Sequence, residues 1–225
     1  MVLRALIFDV DGTLAETEEI HRDAFNRAFA EDGLAWHWDV DLYRELLRVT
    51  GGKERIRRYL EMDGVAPALD DARIARLHAR KNEIYGETVR SGRCTLRPGV
   101  AELVRAARAS GLRTAISTTT SRPNVEALLA ATFPGAEPDL FDPIVAGEDV
   151  VAKKPAPDAY ILAVEKLGLP ADACLALEDS LNGLTAARAA GIPTIVTPSL
   201  YTAHETFEGA AQVIPDLTAF DLKAW

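Results

Sequence analysis

Short, wholly apolar runs alternate along this chain with longer segments in which apolar residues recur every three or four positions. The first run, 5–8, contains no polar residue, which is typical of a strand buried on both faces of a parallel sheet. Beyond residue 98 the two patterns alternate, and several helical segments end at a glycine. This alternation predicts an α/β fold with a Rossmann-like parallel sheet and helices on both faces. We expect further strands at 112–117, 144–146, 174–177, 194–196 and around 213–214. The helices between them are expected at 100–110, 124–131, 157–167 and 181–190.

The segment from residue 16 to residue 91 lacks the short apolar runs. Its apolar residues follow helical spacing, as in Ile20, Ala24 and Ala28. A wholly helical block placed after a first strand predicts an inserted domain. We therefore expect an α/β core of residues 1–15 and 92–225 and an all-helical insert of residues 16–91. The helices expected in the insert are 16–31, 41–49, 54–61 and 71–90.

Composition narrows the class of protein. The chain has 225 residues, 48% of them hydrophobic, which is enough for a full globular core. Its net charge of -9 argues against nucleic acid or an anionic membrane as partner. The two cysteines, Cys94 and Cys174, are too few for a disulfide framework or a four-ligand zinc site. No apolar segment approaches the ~20 residues of a membrane span, and no signal peptide precedes the first strand. We expect a monomer in the bacterial cytoplasm, with a plastid stroma as the alternative.

Residues able to do chemistry stand where the predicted strands end. The carboxyl ends of parallel strands share one edge of a sheet, so groups far apart in the sequence converge there. The residues at these ends, or in the loop before the 157–167 helix, are Asp9, Asp11, Thr118, Lys154, Glu178 and Asp179. The pattern therefore predicts one polar site at this edge.

This set of groups favours phosphoryl chemistry. Clustered carboxylates repel one another and need a cation or a proton, and a ligand set of oxygens suits Mg²⁺. A lysine, a hydroxyl and backbone N–H groups beside that cation suit a phosphoryl group. One carboxylate can then attack phosphorus while a neighbour exchanges a proton. Taken alone, the segment 9–13 is equally compatible with a turn that ends a strand.

The constellation resembles the haloacid dehalogenase-like hydrolase superfamily, and the resemblance runs the length of the chain. It implies that Asp9 is a nucleophile forming an aspartyl-phosphate and that Asp11 is the general acid and base. It also implies that Thr118 binds the transferring phosphoryl group and that Lys154 holds Asp9 and the phosphate together. The implied ligands of Mg²⁺ are Asp9, Asp179, the backbone carbonyl of Asp11, and Glu178 either directly or as a neighbour of the direct ligands.

The helical insert resembles the cap of the subfamily that contains β-phosphoglucomutase, phosphoglycolate phosphatase and the CbbY-type phosphatases. The runs AETEEIHRDAFN at 15–26, TGGKERI at 50–56, TTTSRPNVEAL at 118–128 and EDSLNGL at 178–184 are similar to the CbbY type. That resemblance implies a phosphatase that converts xylulose 1,5-bisphosphate, a misfire product of Rubisco, to xylulose 5-phosphate. It also implies a cap that closes over the site and selects the substrate.

Nine residues are candidates for binding this substrate. They are Glu16, His21, Thr50, Gly51, Gly52, Lys53, Thr119, Thr120 and Asn182. Each has a structural alternative, such as a first-turn helix acid, a solvated histidine, a plain helix–helix turn, strand-forming threonines or a helix cap. Tyr43 and Arg44 are weaker candidates for the same anion, and Lys153 is expected to be a solvated neighbour of Lys154.

We therefore interpret the chain as a Mg²⁺-dependent phosphatase of a small phosphorylated sugar. A phosphosugar mutase of the β-phosphoglucomutase type uses the same residues, and a 2-phosphoglycolate phosphatase differs only in substrate. An inactive binding module on the same fold is the remaining alternative, although all the catalytic groups that it would usually have lost are present here.

Overall fold

A six-stranded parallel sheet forms the centre of the molecule in the computed structural model, which describes residues 2–135 and 139–225. The strand order is β3-β2-β1-β4-β5-β6. The strands are β1 (Ala5–Phe8), β2 (Arg113–Ser117), β3 (Ile144–Val145), β4 (Cys174–Glu178), β5 (Thr194–Val196) and β6 (Gln212–Val213). Ala5 on the central strand lies opposite Arg113 on one side and Cys174 on the other. The predicted parallel α/β sheet is confirmed.

Helices cover both faces of this sheet. They are α5 (Val100–Ala109), α6 (Arg122–Thr132), α7 (Asp158–Leu167) and α8 (Leu181–Ala189) in the order of the chain after the insert. Leu6 and Phe8 pack with α5 and α6, whereas Ala5 and Ile7 pack with α7 and α8. Alternate residues of β1 therefore enter different cores, which explains why this strand is apolar at every position.

The insert contains the helices α1 (Glu18–Glu31), α2 (Val40–Leu46), α3 (Gly52–Leu60) and α4 (Asp71–Thr88). We call the insert, residues 16–91, the cap. We propose that it is a domain separate from the core. Its own core is an aromatic cluster made of Phe25, Phe29, Trp36, Trp38, Tyr43 and Tyr59, joined by Tyr201 from the loop after β5. Two of the three tryptophans that the sequence left unassigned therefore have packing roles.

Two chain segments connect the cap to the core. Ala15 on the first pairs with Leu96 on the second in an antiparallel bridge. Next to this bridge the buried guanidinium of Arg97 donates to backbone carbonyls, at 2.7 Å to Thr197 and 2.8 Å to Pro198, and also to Gly12. Arg97 thus ties the connection to two core loops at once.

Replacing Arg97 by methionine is expected to lower the free energy of unfolding by about 3 kcal/mol, since several buried carbonyls lose their donor together. Thermal or urea denaturation followed by circular dichroism measures this loss. Arg105→Met is the matched control, because the Arg105 side chain is 72% exposed and should contribute almost nothing. Equal stability of the two variants would contradict the clamp assigned to Arg97.

In the described part of the chain, no helix combines the length and apolar composition needed to cross a membrane. Both cysteines are buried and unpaired.

Candidate active site

The polar residues at the strand ends converge around the ammonium group of Lys154. Its Nζ lies 2.7 Å from Asp9 Oδ1, 2.6 Å from Glu178 Oε1 and 2.8 Å from the carbonyl oxygen of Ser117. Burial disfavours the charge of Lys154, but the carboxylates of Asp9 and Glu178 outweigh it and hold its pKa above the usual range. The lysine therefore stays protonated beside Asp9.

Glu178 is fully buried and already engaged in protein contacts. The same Oε1 that meets Lys154 accepts a hydrogen bond from the Tyr160 hydroxyl at 2.6 Å. The Lys154 ammonium also lies over the Tyr160 ring, 4.8 Å from its centroid. Tyr160 thus supports both members of the Glu178–Lys154 pair.

Three buried acids meet where a cation could bind. One oxygen from each of Asp9, Glu178 and Asp179 lies within 4.8 Å of the others. Burial, opposed by Lys154 and reinforced by Glu178, raises the pKa of Asp9 to about 8, and burial beside Asp9 raises that of Asp179 well above its usual value. Carboxylates that resist ionisation in this way fit an oxygen-binding divalent cation such as Mg²⁺.

Gly12 is required by the close approach of this acidic group. Its φ is 79°, and a Cβ at this position would lie 2.2 Å from Asp179 Oδ2. A side chain at position 12 would therefore displace Asp179.

Asp11 turns away from the three acids and towards the cap. Its Oδ1 accepts a hydrogen bond from Thr17 at 2.6 Å and lies 2.9 Å from His21 Nε2. Burial opposes ionisation of Asp11, but the charge and hydrogen bond of His21 and the Thr17 hydroxyl hold its pKa below the usual range. These contacts engage the Asp11 Oδ1 atom with the cap, so among the acids that cluster for a cation the structure groups Asp9, Glu178 and Asp179.

His21 is held in place by two further cap residues. Lys81 Nζ lies 2.7 Å from His21 Nδ1, and the ring stacks on Tyr85 with centroids 4.2 Å apart. The Asp11 carboxylate can only accept, so the Nε2 atom of His21 carries the hydrogen that faces it. Burial lowers the pKa of Lys81 to about 7. His21 is thus an oriented ring rather than a solvated one.

The turn 50–54 of the cap touches the loop that carries Lys154. The Thr50 hydroxyl donates to the Lys154 carbonyl, and Lys153 Nζ lies 3.0 Å from the Glu54 carboxylate. The prediction of a solvated Lys153 is wrong, because the cap provides Glu54 as its partner. A Cβ on Gly51 would come within 2.7 Å of Lys153 Nζ, so this glycine is needed for the contact.

A cavity of about 420 Å³ lies between cap and core above these residues. Of the predicted substrate residues, its lining includes His21, Thr50, Gly51, Gly52, Lys53, Thr119, Thr120 and Asn182. Thr118 is also in the lining, and its hydroxyl accepts from the Thr120 backbone N–H at 3.2 Å. Asn182 Nδ2 reaches the Arg48 carbonyl at 3.3 Å, while Ser180, rather than Asn182, caps α8. The structure therefore brings most of the predicted set together.

Glu16 is the exception among the described residues. It lies outside the cavity lining, and its carboxylate is 3.3 Å from Arg97 Nε at the connection between cap and core. The acid that the cap does present to the cavity is Glu18, whose Oε2 accepts from the Tyr43 hydroxyl at 2.8 Å. Glu18 is the first residue of α1, whereas Glu16 belongs to the segment that precedes this helix.

Several residues of the site were not predicted, although patterns in the sequence indicate them. Lys81 falls on the same helical face as Leu77 and Ile84, and a lysine on an apolar face is unusual. Thr17 precedes His21 by four residues, which places both on the buried face of α1. Tyr201 follows β5 at the same edge of the sheet as the other groups.

The chain is similar to known proteins over nearly its whole length. The family model of the haloacid dehalogenase-like hydrolases matches residues 3–191. The CbbY protein of Rhodobacter capsulatus is 57% identical over 97% of this chain and 96% of its own length. A crystal structure of mutant CbbY from Rhodobacter sphaeroides in complex with xylulose 1,5-bisphosphate is 49% identical, with a TM-score of 0.93 over 97% of this chain and 96% of that one.

A more distant structure, β-phosphoglucomutase from Clostridium difficile, has a TM-score of 0.83 at 19% identity over 99% of this chain and 95% of that one. This likeness concerns the fold. The buried Asp9–Lys154 pair fits the hydrolase chemistry that the family match and the CbbY relatives indicate. The chain belongs to the haloacid dehalogenase-like hydrolases and is a phosphoric monoester hydrolase.

Proposed function

We propose that this protein is a Mg²⁺-dependent phosphatase of a small sugar bisphosphate, with xylulose 1,5-bisphosphate as substrate and xylulose 5-phosphate and phosphate as products. In a cell that fixes carbon with Rubisco, this reaction would remove a misfire product. One observation supports the proposed function most. The cavity has the carboxylate of Asp9 at its base and an excess of cationic side chains on its cap wall, the part of the lining that the cap provides.

The cap wall fits a second, non-reacting phosphate. Its basic residues are Arg44, Arg48, Lys53, Arg55 and Lys81, and Glu18 is the acid among the cap residues that line the cavity. Burial and the charges of Lys81, Lys53 and Lys153 lower the pKa of His78, on the same wall, to about 3. A chain with a net charge of -9 thus carries a locally positive surface opposite Asp9, as a bisphosphate requires. The complex of the Rhodobacter sphaeroides relative with xylulose 1,5-bisphosphate supports the same substrate.

In the first step a carboxylate oxygen of Asp9 attacks phosphorus, and the bond between phosphorus and the sugar oxygen breaks. Asp11 gives its proton to the departing oxygen. A phosphate dianion placed beside Asp11 raises its pKa, which favours the protonated form needed at this stage. Lys154 and Thr118 stabilise charge on the remaining phosphoryl oxygens.

In the second step water attacks the phosphorus of the aspartyl-phosphate, and Asp11 takes the proton from the water. The bond between Asp9 and phosphorus breaks and phosphate leaves. Thr17 and His21 suit Asp11 to this step, because their hydrogen bonds favour its ionised form.

The residues that would hold Mg²⁺ are Asp9, Asp179 and the Asp11 carbonyl, with Glu178 beside them. When bound, the ion neutralises charge on the phosphoryl oxygens and on the paired acids. Glu178 shares its Oε1 between Lys154 and Tyr160, so we assign it to the surroundings of the ion rather than to direct coordination.

Replacing His21 by phenylalanine is expected to lower kcat by about 10²-fold, because Asp11 loses the partner that orients it. The pKa of Asp11 should rise towards its usual value, since His21 holds it down in the native protein. The pH below which activity is lost should therefore move upward in a pH–rate profile. His37→Phe, an exposed change on the cap, should leave the profile as it is. An unshifted acid limb in His21→Phe would exclude this role.

A substrate screen tests the proposed function directly. We expect kcat/KM for xylulose 1,5-bisphosphate to exceed that for ribulose 1,5-bisphosphate, fructose 1,6-bisphosphate and 2-phosphoglycolate when phosphate release is followed. Lys53→Met should raise KM for the bisphosphates by about tenfold and change KM for 2-phosphoglycolate little, because only the former carry a second phosphate. Lys166→Met, an exposed change on α7, is the control.

Two results would redirect the assignment. A preference for 2-phosphoglycolate by orders of magnitude would keep the chemistry and change the substrate. Conversion of β-glucose 1-phosphate to glucose 6-phosphate with a bisphosphate primer would identify a mutase.

A further inference from the structure

The loop of residues 197–202, which follows β5, is held by Arg97 at its start and contacts both the metal-ligand candidate Asp179 and the cap at its far end. The Thr202 hydroxyl lies 2.7 Å from the Asp179 carbonyl and 3.3 Å from Asp179 Oδ2. The Ser199 backbone N–H donates to the same hydroxyl at 2.9 Å. Thr202 thus holds the Asp179 backbone by a hydrogen bond and lies beside its carboxylate.

The neighbouring residue, Tyr201, leaves the core and enters the cap. Its side chain is buried, and its ring meets that of Tyr43 edge-on, with centroids 5.6 Å apart and planes at 87°. The Arg44 guanidinium lies 5.9 Å from the centre of the ring, and the hydroxyl donates to Glu19. Tyr201 is therefore seated among cap side chains although it belongs to a core loop.

The connection between cap and core holds the other end of the same loop. Arg97 donates to the carbonyls of Thr197 and Pro198, and its Nε lies 3.3 Å from the Glu16 carboxylate. These contacts fix the start of the loop independently of the contacts that Tyr201 makes in the cap. Its far end, which carries Thr202, is joined to Ser199 by a hydrogen bond from the Thr202 backbone N–H at 3.2 Å and to the cap by the ring of Tyr201.

We propose that Tyr201 is a positioning residue for the Mg²⁺ site. By packing into the cap it sets the place of Thr202, and Thr202 sets the Asp179 carboxylate. The site therefore binds Mg²⁺ best when the cap is seated on the core. This inference rests on the proposed Mg²⁺ dependence and adds a residue that touches neither the substrate nor the ion.

Isothermal titration of Mg²⁺ into metal-stripped protein tests this role without any measurement of turnover. Tyr201→Ala is expected to weaken Mg²⁺ binding by about tenfold, the usual scale for residues that orient a metal ligand. Tyr201→Phe retains the ring and should weaken Mg²⁺ binding by about twofold or less, because the packing of the ring rather than its hydroxyl fixes the loop.

Tyr59→Ala is the matched control. Tyr59 belongs to the same aromatic cluster and stacks edge-on against Trp36 and Trp38, so its loss removes cap packing without touching the loop. Mg²⁺ affinity should be unchanged in this variant. Equal weakening in Tyr59→Ala and Tyr201→Ala would overturn the proposal in favour of general loss of cap stability.

Thr202→Val provides a test that does not depend on the folding of the alanine variant, since valine keeps the shape and removes the hydroxyl. It should weaken Mg²⁺ binding as Tyr201→Ala does, and the double variant should be no weaker than either, because both act through one path. Native affinity in Thr202→Val, or additive losses in the double variant, would overturn the assignment. A native protein that binds no Mg²⁺ would instead contradict the proposed function itself.

Discussion

Asp9→Asn is expected to abolish turnover while leaving sugar phosphate binding intact. The amide has the shape of the carboxylate but no negative charge with which to attack phosphorus, so no aspartyl-phosphate forms. Loss of a covalent nucleophile commonly costs about 10⁴-fold or more in kcat. Phosphate release under saturating substrate measures the loss, and titration calorimetry with the same substrate measures binding.

The fold should survive this substitution. In the native protein Lys154 contacts Glu178 as well as Asp9, so its charge keeps one partner. Asp63→Asn, an exposed change on the cap, controls for the chemical nature of the substitution and should retain full activity. Residual turnover of Asp9→Asn within tenfold of the native rate would remove Asp9 from the role of nucleophile.

Removal of Mg²⁺ should also lower kcat strongly. We expect chelation to lower kcat by about 10³-fold, which corresponds to roughly 4 kcal/mol of transition-state stabilisation. Activity should return when Mg²⁺ is added in excess of the chelator. Phosphatase activity that is unaffected by chelation after exhaustive dialysis would exclude a metal from the mechanism.

The metal effect should depend on pH with a defined sign. The folded protein raises the pKa of Asp9 from 3.8 to about 8, so protons compete with Mg²⁺ below pH 8 and the half-saturating Mg²⁺ concentration should rise as the pH falls. In metal-free protein, the stability contributed by Asp9 is present below pH 3.8 and is lost as the pH rises through 8. Mg²⁺ should therefore raise Tm more at pH 8.5 than at pH 5.5.

The sheet and the polar groups at its carboxyl edge could be predicted from the sequence. Asp9, Thr118, Lys154 and Asp179 each follow an apolar run or occupy a loop that the alternation of strands and helices locates. Since parallel strands end at a common edge, their convergence follows from topology alone. Their roles in catalysis remain proposals from the resemblance and from the geometry.

Contacts between the cap and the core could not be predicted in the same way. Glu16 and Glu18 are two residues apart on the segment that enters α1, and only the angle of that entry decides which faces the cavity. Likewise, Lys153 gains Glu54 as a partner from a helix that lies far away in the sequence. Such pairings depend on how the cap meets the core, and no local pattern encodes that arrangement.

The central position of β1 has a consequence for synthesis on the ribosome. Asp9 is made before the cap, whereas both strands that flank β1 are made only after the entire cap. At the usual rate of elongation, roughly 10 to 30 s separate the appearance of Asp9 from that of Asp179. During this interval the nascent chain exposes an apolar strand that lacks one or both of its neighbours, which is the state in which a chaperone would bind it. Chains that terminate before β4 should be inactive and prone to aggregate, however well their cap helices fold.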